Sequence, residues 1–491
     1  MNLFIFGVYL VMLVVIGYAT FLKTKVYGDF TLAGRSNNKW IVAMGAESAD
    51  MSGWIFLGLP GWAFSTGFGS IWLVSGLMFG TFFNWTVVAP RIRRITEYYH
   101  AVTLSDFIEK RLGDKTGIVS VVFSIVIVVF MIINSSAEII GCGKLLTAAF
   151  GFNYHTGMYI GLGIALIYTF LGGFLAVSWS NLVQGTMMFI ALILVPVAAL
   201  FHFGSLNSFS ISLLSQDKNM FSFLSGAQGF WPISGLIVSG LGIMLCYPGQ
   251  PHVLTNYMSI KDPDELKSST LISMIWVGLT LYGAVIIGMA GRSMFPSIQD
   301  PEQVFLPIVK SLFPSQTIGL FAAAIMAAIL SSVGAYLFVA AASFASGLYK
   351  KIAKIKDDNQ LIPVQRVSVV LIALVALLIS LNGGKVMQVA LYAFAGLGAG
   401  LGPMILFSIY SSRINVQGAI WGMAIGMVTV LLWSNLGLSQ YLYEAVPAFV
   451  LGSIAIVVVS KLSGGPDKLT KEQYLDFVLK EGQRKKVVVE G

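Results

Sequence analysis

The sequence predicts an all-α polytopic membrane protein of thirteen transmembrane helices, and three observations carry that expectation. Of its 491 residues, 56% are hydrophobic and 11% charged, against about a quarter charged in soluble domains. Apolar runs of about eighteen residues or more recur from end to end, each long enough to cross a ~30 Å hydrocarbon core as a helix. Two of the runs carry glycine, proline and polar residues at their centres, the mark of interrupted membrane helices.

In chain order the spans cover about 3 to 22, 40 to 64, 68 to 90, 117 to 147, 156 to 175, 181 to 202 and 229 to 258. They continue at 269 to 291, 317 to 348, 364 to 382, 387 to 411, 416 to 434 and 443 to 461. The first, Leu3 to Leu22, has no positive residue before it and is followed by Lys23 and Lys25. It reads as a retained helix rather than a cleaved signal. The spans group as 1–39, the first helix and its loop; 40–411, a core dividing into 40–202 and 229–411; 412–462, two further helices; and a tail, 463–491.

An odd number of spans puts the termini on opposite sides. With the amino terminus outside, the inner segments hold all but five of the 30 basic residues, the five being Lys144, Lys218, Arg292, Lys310 and Lys385. Lysine and arginine favour cytoplasmic loops, so the tail is expected inside. The net charge of +8 is thus a topology signal rather than a nucleic-acid footprint. Cys142 and Cys246 lie in apolar segments and specify no bridge. The tail, amphipathic around Tyr474 to Leu479, reads as a solvated or membrane-surface helix. Gly76/Gly80, Gly396/Gly400 and Gly422/Gly426 have the spacing for close helix approach.

The second span is broken at Ser48-Ala49-Asp50-Met51-Ser52-Gly53, followed by Gly58-Leu59-Pro60-Gly61. The seventh is broken at Tyr247-Pro248-Gly249-Gln250-Pro251, where two prolines each remove a backbone donor. Broken helices at equivalent places in two five-helix halves point to an inverted-repeat transporter with its site at the midplane. Asp50 lies inside the first break: either part of that site or a cap on broken backbone. Ser331 and Ser332 in the ninth span offer hard oxygen ligands, or simply bond back to the preceding turn.

No G-x-x-x-x-G-K-[ST] loop for nucleotide phosphates appears. The four histidines, His100, His155, His202 and His252, form no zinc-type cluster with cysteine and read as interfacial or packing residues. An intramembrane enzyme using Asp50, Glu47 or Glu138 and a channel are the alternative classes.

Several stretches match a known family: Ala49-Asp50-Met51-Ser52-Gly53-Trp54, Gly58-Leu59-Pro60-Gly61, Asn84-Trp85, Thr96-Glu97-Tyr98, Tyr168 through Trp179, Tyr247 with Gly249-Gln250-Pro251-His252, and Leu348-Tyr349-Lys350. On these the chain resembles the sodium:solute symporters, and among them the bacterial sodium/proline symporters most closely. The resemblance implies a leucine-transporter-like core of five plus five inverted helices, with one extra helix before and two after. It implies a sodium site built from the carbonyls of Ser48, Met51 and Ala328 and the hydroxyls of Ser331 and Ser332. Asp50 matches the aspartate needed for sodium-coupled uptake, followed by Ser52 and Gly53 in the same motif. Arg35 matches a cytoplasmic arginine linked to coupling.

Tyr247 and Pro251 match the proline pocket, whereas aromatic residues of that pocket in the fourth and seventh spans are replaced by Asn134 and Ile243. Where some members bind a second sodium, this chain has Asn181, Gly334 and Ala335, so one sodium per cycle is expected. The implied activity is uptake of a small amino acid, proline first, by alternating access, with sodium as coupling ion and no other cofactor. The protein would act as a monomer in the cytoplasmic membrane of a bacterium, binding no nucleic acid and catalysing no reaction. Glu47 and Glu138 would either pair with polar neighbours or meet the amine of a different solute.

Overall fold

Helices satisfy their own backbone groups, which hydrocarbon demands, and a computed structural model shows helices throughout. It describes residues 2–22 and 26–490, the side chains of Tyr168 and Leu171 and those beyond residue 483 excepted. Lys23 and Lys25 lie outside the described residues. The only strand-like pairing among them is one bridge between Asn37 and Ile260. Eleven of the described helical runs are long and apolar enough to cross a membrane, from Asn2–Phe21 to Ala445–Leu462.

Two predicted spans are interrupted, and two others join in one bent run. The stretch expected at 40 to 64 is two helices, Lys39–Asp50 and Gly58–Thr66. The stretch expected at 229 to 258 is Phe230–Gly242, a 3-10 segment Ile243–Gly249, and Pro251–Ser259. The segments expected at 156 to 175 and 181 to 202 form one run, Tyr154–His202, bent at Gly173 with φ 62°. A Cβ there would stand 2.7 Å from the Phe30 ring and 2.8 Å from its carbonyl oxygen, so only glycine fits this left-handed bend.

Ile318–Ser343 is the hub of the bundle: every residue but Ile318 and Leu320 is buried. Its alanine-rich faces let Ile118–Phe150 and Tyr154–His202 pack directly on it. Peripheral helices differ. Asn2–Phe21 and Leu361–Ser380 expose Val11, Leu371 and Leu378, the surface that lipid tails cover. The paired glycines serve close approach as expected: Gly76 stands against the Gly240 carbonyl, Gly396 against the Phe130 ring and Gly426 against the Ala399 carbonyl.

Basic side chains tie helix ends at both ends of the bundle. At one, arginines close helix carboxyl ends by donating to their last carbonyls: Arg111 to Ser408 O at 2.9 Å, Arg93 to Ile260 O at 2.8 Å, and Arg91 to Ile409 O. At the other, Lys144 meets Asp300 and Glu302, and Lys310 bonds the Ala148 carbonyl.

The tail is a helix, Lys468–Glu490, with one face exposed and the other docked on the bundle. Thr470, Tyr474, Phe477 and Glu481, spaced to share one helical face, are all buried. The Arg111 guanidinium lies 4.0 Å from the Tyr474 ring centre, Arg91 pairs with Glu481 at 2.8 Å, and Tyr98 donates to Asp476 at 2.6 Å. Short-range periodicity identified the face, while its partners lie more than 350 residues away in sequence.

Replacing Tyr474 and Phe477 together by alanine removes the apolar anchor of this helix, a loss of ~3 kcal/mol or more for a buried aromatic. The expected result is markedly faster tryptic cleavage after Lys471 and Lys480 with the digestion of the bundle unchanged. Equal cleavage rates would show that the helix is held by other means.

Candidate functional site

The first break begins where Lys39–Asp50 ends: Met51 still donates to Glu47 O at 2.8 Å, and Ser52 then takes φ 23°, ψ −167°. A short 3-10 turn, Gly53–Ile55, leads to Gly58–Thr66, in which Pro60 sits in the first turn, where no backbone donor is needed. The second break is an extended Gln250 between Pro248 and Pro251, with Pro251 opening the next helix. Gln250 itself mends it, its amide donating to Cys246 O at 3.1 Å and Phe394 O at 3.2 Å.

The carbonyls freed at the first break face the ninth-span serines. Ser331 Oγ lies 2.8 Å from both Ser48 O and Ala328 O; Ser332 Oγ lies 2.9 Å from Ala49 O and 3.2 Å from Ala328 O. All are buried, as is Met51. Five oxygens of two helices thus converge, and the Ala49 carbonyl joins the expected group. The serines do bond back to their own helix, and they also cross to the broken one. Neutral carbonyl and hydroxyl oxygens gathered in a dry place are the donor set of a hard monovalent cation.

Asp50 connects the two breaks: its Oδ1 is 3.3 Å from His252 Nε2, while Oδ2 has no partner. His252, which the sequence marks as an interfacial or packing residue within a matched stretch, also stands edge-on to Tyr336, with centroids 4.9 Å apart. A π-helical turn, Asn84–Val88, reaches both breaks. Trp85 donates to Glu47 at 2.6 Å, and Asn84 donates to the Tyr247 carbonyl at 3.2 Å. Glu138 accepts from Ser52 Oγ at 2.7 Å and from the Gly53 amide at 2.9 Å. Both glutamates therefore have polar partners, and Asp50 is the carboxylate that reaches open space.

That space is a small cavity lined by Asp50, Trp54, Asn134, Ile243 and Tyr336, with Leu77 and the first turns of Val386–Tyr410. Of the predicted residues, Asp50, Asn134 and Ile243 line it. Ser52 and Gly53 turn instead to Glu138, and Tyr247 is buried behind Phe394, rings 5.5 Å apart. Pro251 is buried at its helix start. Arg35 is remote, bonded to Met258 O at 2.8 Å and Ala101 O at 2.9 Å at the arginine-capped end. The wall formed by Met387, Ala390, Leu391 and Phe394 carried no sequence signal, since apolar residues in an apolar helix look alike. Among the described residues no histidine, cysteine and carboxylate group assembles a metal centre.

The helix Val386–Tyr410 is capped by an acid. Glu302 accepts from the Val386 amide at 3.0 Å and the Met387 amide at 3.1 Å, and Lys144 binds it at 2.6 Å. Partial burial pushes neighbouring Asp300 up, but the bond to Lys144 and its charge outweigh this and hold the carboxyl below its ordinary range.

Comparison with known proteins gives a consistent result. The profile of the sodium:solute symporter family matches residues 30–426. A high-affinity proline transporter of Bacillus subtilis is 37% identical over 472 residues, covering 95% of this chain and 99% of that protein. A sodium/proline symporter of Escherichia coli is 36% identical over 482 residues, covering 96% and 95%. Among solved structures, a substrate-bound, outward-open Na+-coupled sialic acid symporter superposes with TM-score 0.81 at 16% identity, covering 95% of this chain and 99% of that one. A nucleobase-cation-symport-1 family transporter in a closed conformation gives 0.57 at 14% identity, covering 91% and 98%. These two share the fold.

Replacing Glu302 by alanine leaves two amides uncapped and Lys144 with Asp300 alone, a cost of about 1–3 kcal/mol at the start of Val386–Tyr410. Maleimide labelling of an Ala390→Cys reporter in detergent should become several-fold faster in that background. Unchanged labelling would mean that the cap does not hold the cavity wall.

Proposed function

The chain belongs to the sodium:solute symporter family, and from that premise we propose that it imports L-proline together with one sodium ion by alternating access. It is a multi-pass membrane transporter and not an enzyme. The observation that carries the reading is the convergence of the Ser331 and Ser332 hydroxyls with the Ser48, Ala49 and Ala328 carbonyls beside the Asp50 cavity. The names of the related proline transporters support the substrate.

A sodium ion there would take the Ser48, Met51 and Ala328 carbonyls and both hydroxyls as ligands, exchanging the present hydrogen bonds for ion contacts. It would thereby link Ile318–Ser343 to the broken helix and fix Asp50 and Trp54, whose indole already donates to Asp50 O at 3.1 Å, against the bound solute. Trp54, Tyr336, Leu391 and Phe394 give a cyclic apolar body its contacts, and Asp50 and Asn134 face the polar end. Coupling follows because neither solute completes the site alone. Arg35 would hold the inner loops while the core rocks.

In this reading the thirteen spans form an inverted repeat, 40–202 and 229–411, with the first helix before it, the 412–462 pair after it and the 463–491 tail inside. The amino terminus lies outside, the membrane is the cytoplasmic membrane of a bacterium, and one copy in the bilayer is sufficient. The energetics agree with nutrient uptake. One charge moving down ~100 mV supplies about 2.3 kcal/mol, and a tenfold sodium gradient adds about 1.4 kcal/mol. Together they sustain roughly five-hundredfold accumulation of a zwitterion.

Proteoliposomes given an inward sodium gradient should accumulate labelled proline, and those given choline should not; equal uptake would end the symport reading. Ser332→Ala should raise the half-saturating sodium concentration about tenfold, the equivalent of ~1.4 kcal/mol. A sodium dependence identical to the wild type would place the ion elsewhere.

A further inference from the structure

Glu138 has no place in the reading above, yet its carboxylate is wholly buried and touches the first break at two points. No lysine, arginine or histidine pairs with it among the described ion pairs. Placing a carboxyl group in such surroundings is costly unless its oxygens are engaged. Here they are engaged by a side chain and an amide that the break itself has released.

The geometry at Ser52 explains the need. With φ 23° it is a non-glycine residue in a sparsely populated conformation, worth of order 1–3 kcal/mol, that persists only when its surroundings hold it. Glu138 Oε1 takes the Ser52 hydroxyl and Oε2 takes the next amide, Gly53 N, so that one rigid group grips two consecutive residues. The grip is tight. A Cβ on Gly53 would stand 2.7 Å from Glu138 Oε2 and 2.7 Å from Ile329 Cγ1, and Ile329 directly follows Ala328. In such breaks, freed amides are where a solute's carboxylate is held. This chain supplies an acceptor of its own.

We propose that Glu138 is a positioning residue of the transport site: a built-in acceptor that fixes the Ser52 turn, and through it the register of the Ser48, Ala49 and Met51 carbonyls against Ser331 and Ser332. The inference rests on the sodium-symport reading and adds what keeps the cation cage in order before solute arrives. The same helix supplies Asn134 to the cavity one turn earlier, so cavity wall and break are held by one element.

The test compares Glu138→Gln and Glu138→Leu with the wild type, by sodium activation of proline uptake and by binding of radioactive sodium to the purified protein without proline. Gln keeps one acceptor, and its amide group can donate to Ser52; Leu keeps none. The expected order of half-saturating sodium is wild type, then Gln, raised several-fold, then Leu, raised tenfold or more, a range typical of coupling between sites. Maximal uptake by the Gln variant should stay within about twofold, which a general loss of stability would not produce.

Identical sodium activation and sodium binding in wild type and Gln and Leu variants would overturn the proposal, as would a fall in maximal rate alone. If the Leu variant does not fold, the Gln variant decides by the same two measurements. If the wild type takes up proline equally in sodium and choline, the symport reading fails by itself, and equal sodium binding by wild type and Gln variant would then refute the role of Glu138 separately.

Discussion

A peptide group freed from its helix inside a bilayer has no water to turn to, and each one left unpaired costs roughly 2–7 kcal/mol. Both broken helices of this protein create such groups at their centres, and most of the polar residues buried there answer them. Ser331 and Ser332 take the carbonyls of Ser48 and Ala49, Glu138 takes the amide of Gly53, Gln250 takes its own side's Cys246 carbonyl, and Asn84 takes that of Tyr247. A polar site at this depth is the sum of those repairs.

Three buried acids make the point from the side of charge. Glu47 and Glu138 are held by neutral donors, an indole and a hydroxyl with an amide. Asp50 has one oxygen near His252 and the other without a partner. The acids Asp300 and Glu302 at the bundle end have Lys144 beside them. Acids with cations tie loops and helix ends together, whereas the two central glutamates are held by neutral donors.

What the sequence disclosed follows from range. Breaks at Ser48 to Gly53 and at Tyr247 to Pro251 are local events with local signals, glycine and proline foremost, and both occur where expected. Asp50, Ser331 and Ser332 stood out because polar residues are rare in apolar runs. Distant pairings left no trace: His252 with Asp50 spans 202 residues, and Glu302 with Met387 spans 85. Apolar lining was equally silent, since Phe394 facing a cavity and Phe394 facing lipid have the same residue type. Tyr247 shows the converse, a residue matched by motif that supports the wall from behind.

The docked tail has a consequence for biosynthesis. Residues 470 to 481 leave the ribosome about 360 residues or more after Arg91, Tyr98 and Arg111, which they cover. That face stays open while every helix in between is inserted and closes only once the tail helix has emerged. A chain cut short after Leu462 would still present this bare, cationic and aromatic surface to the folding machinery.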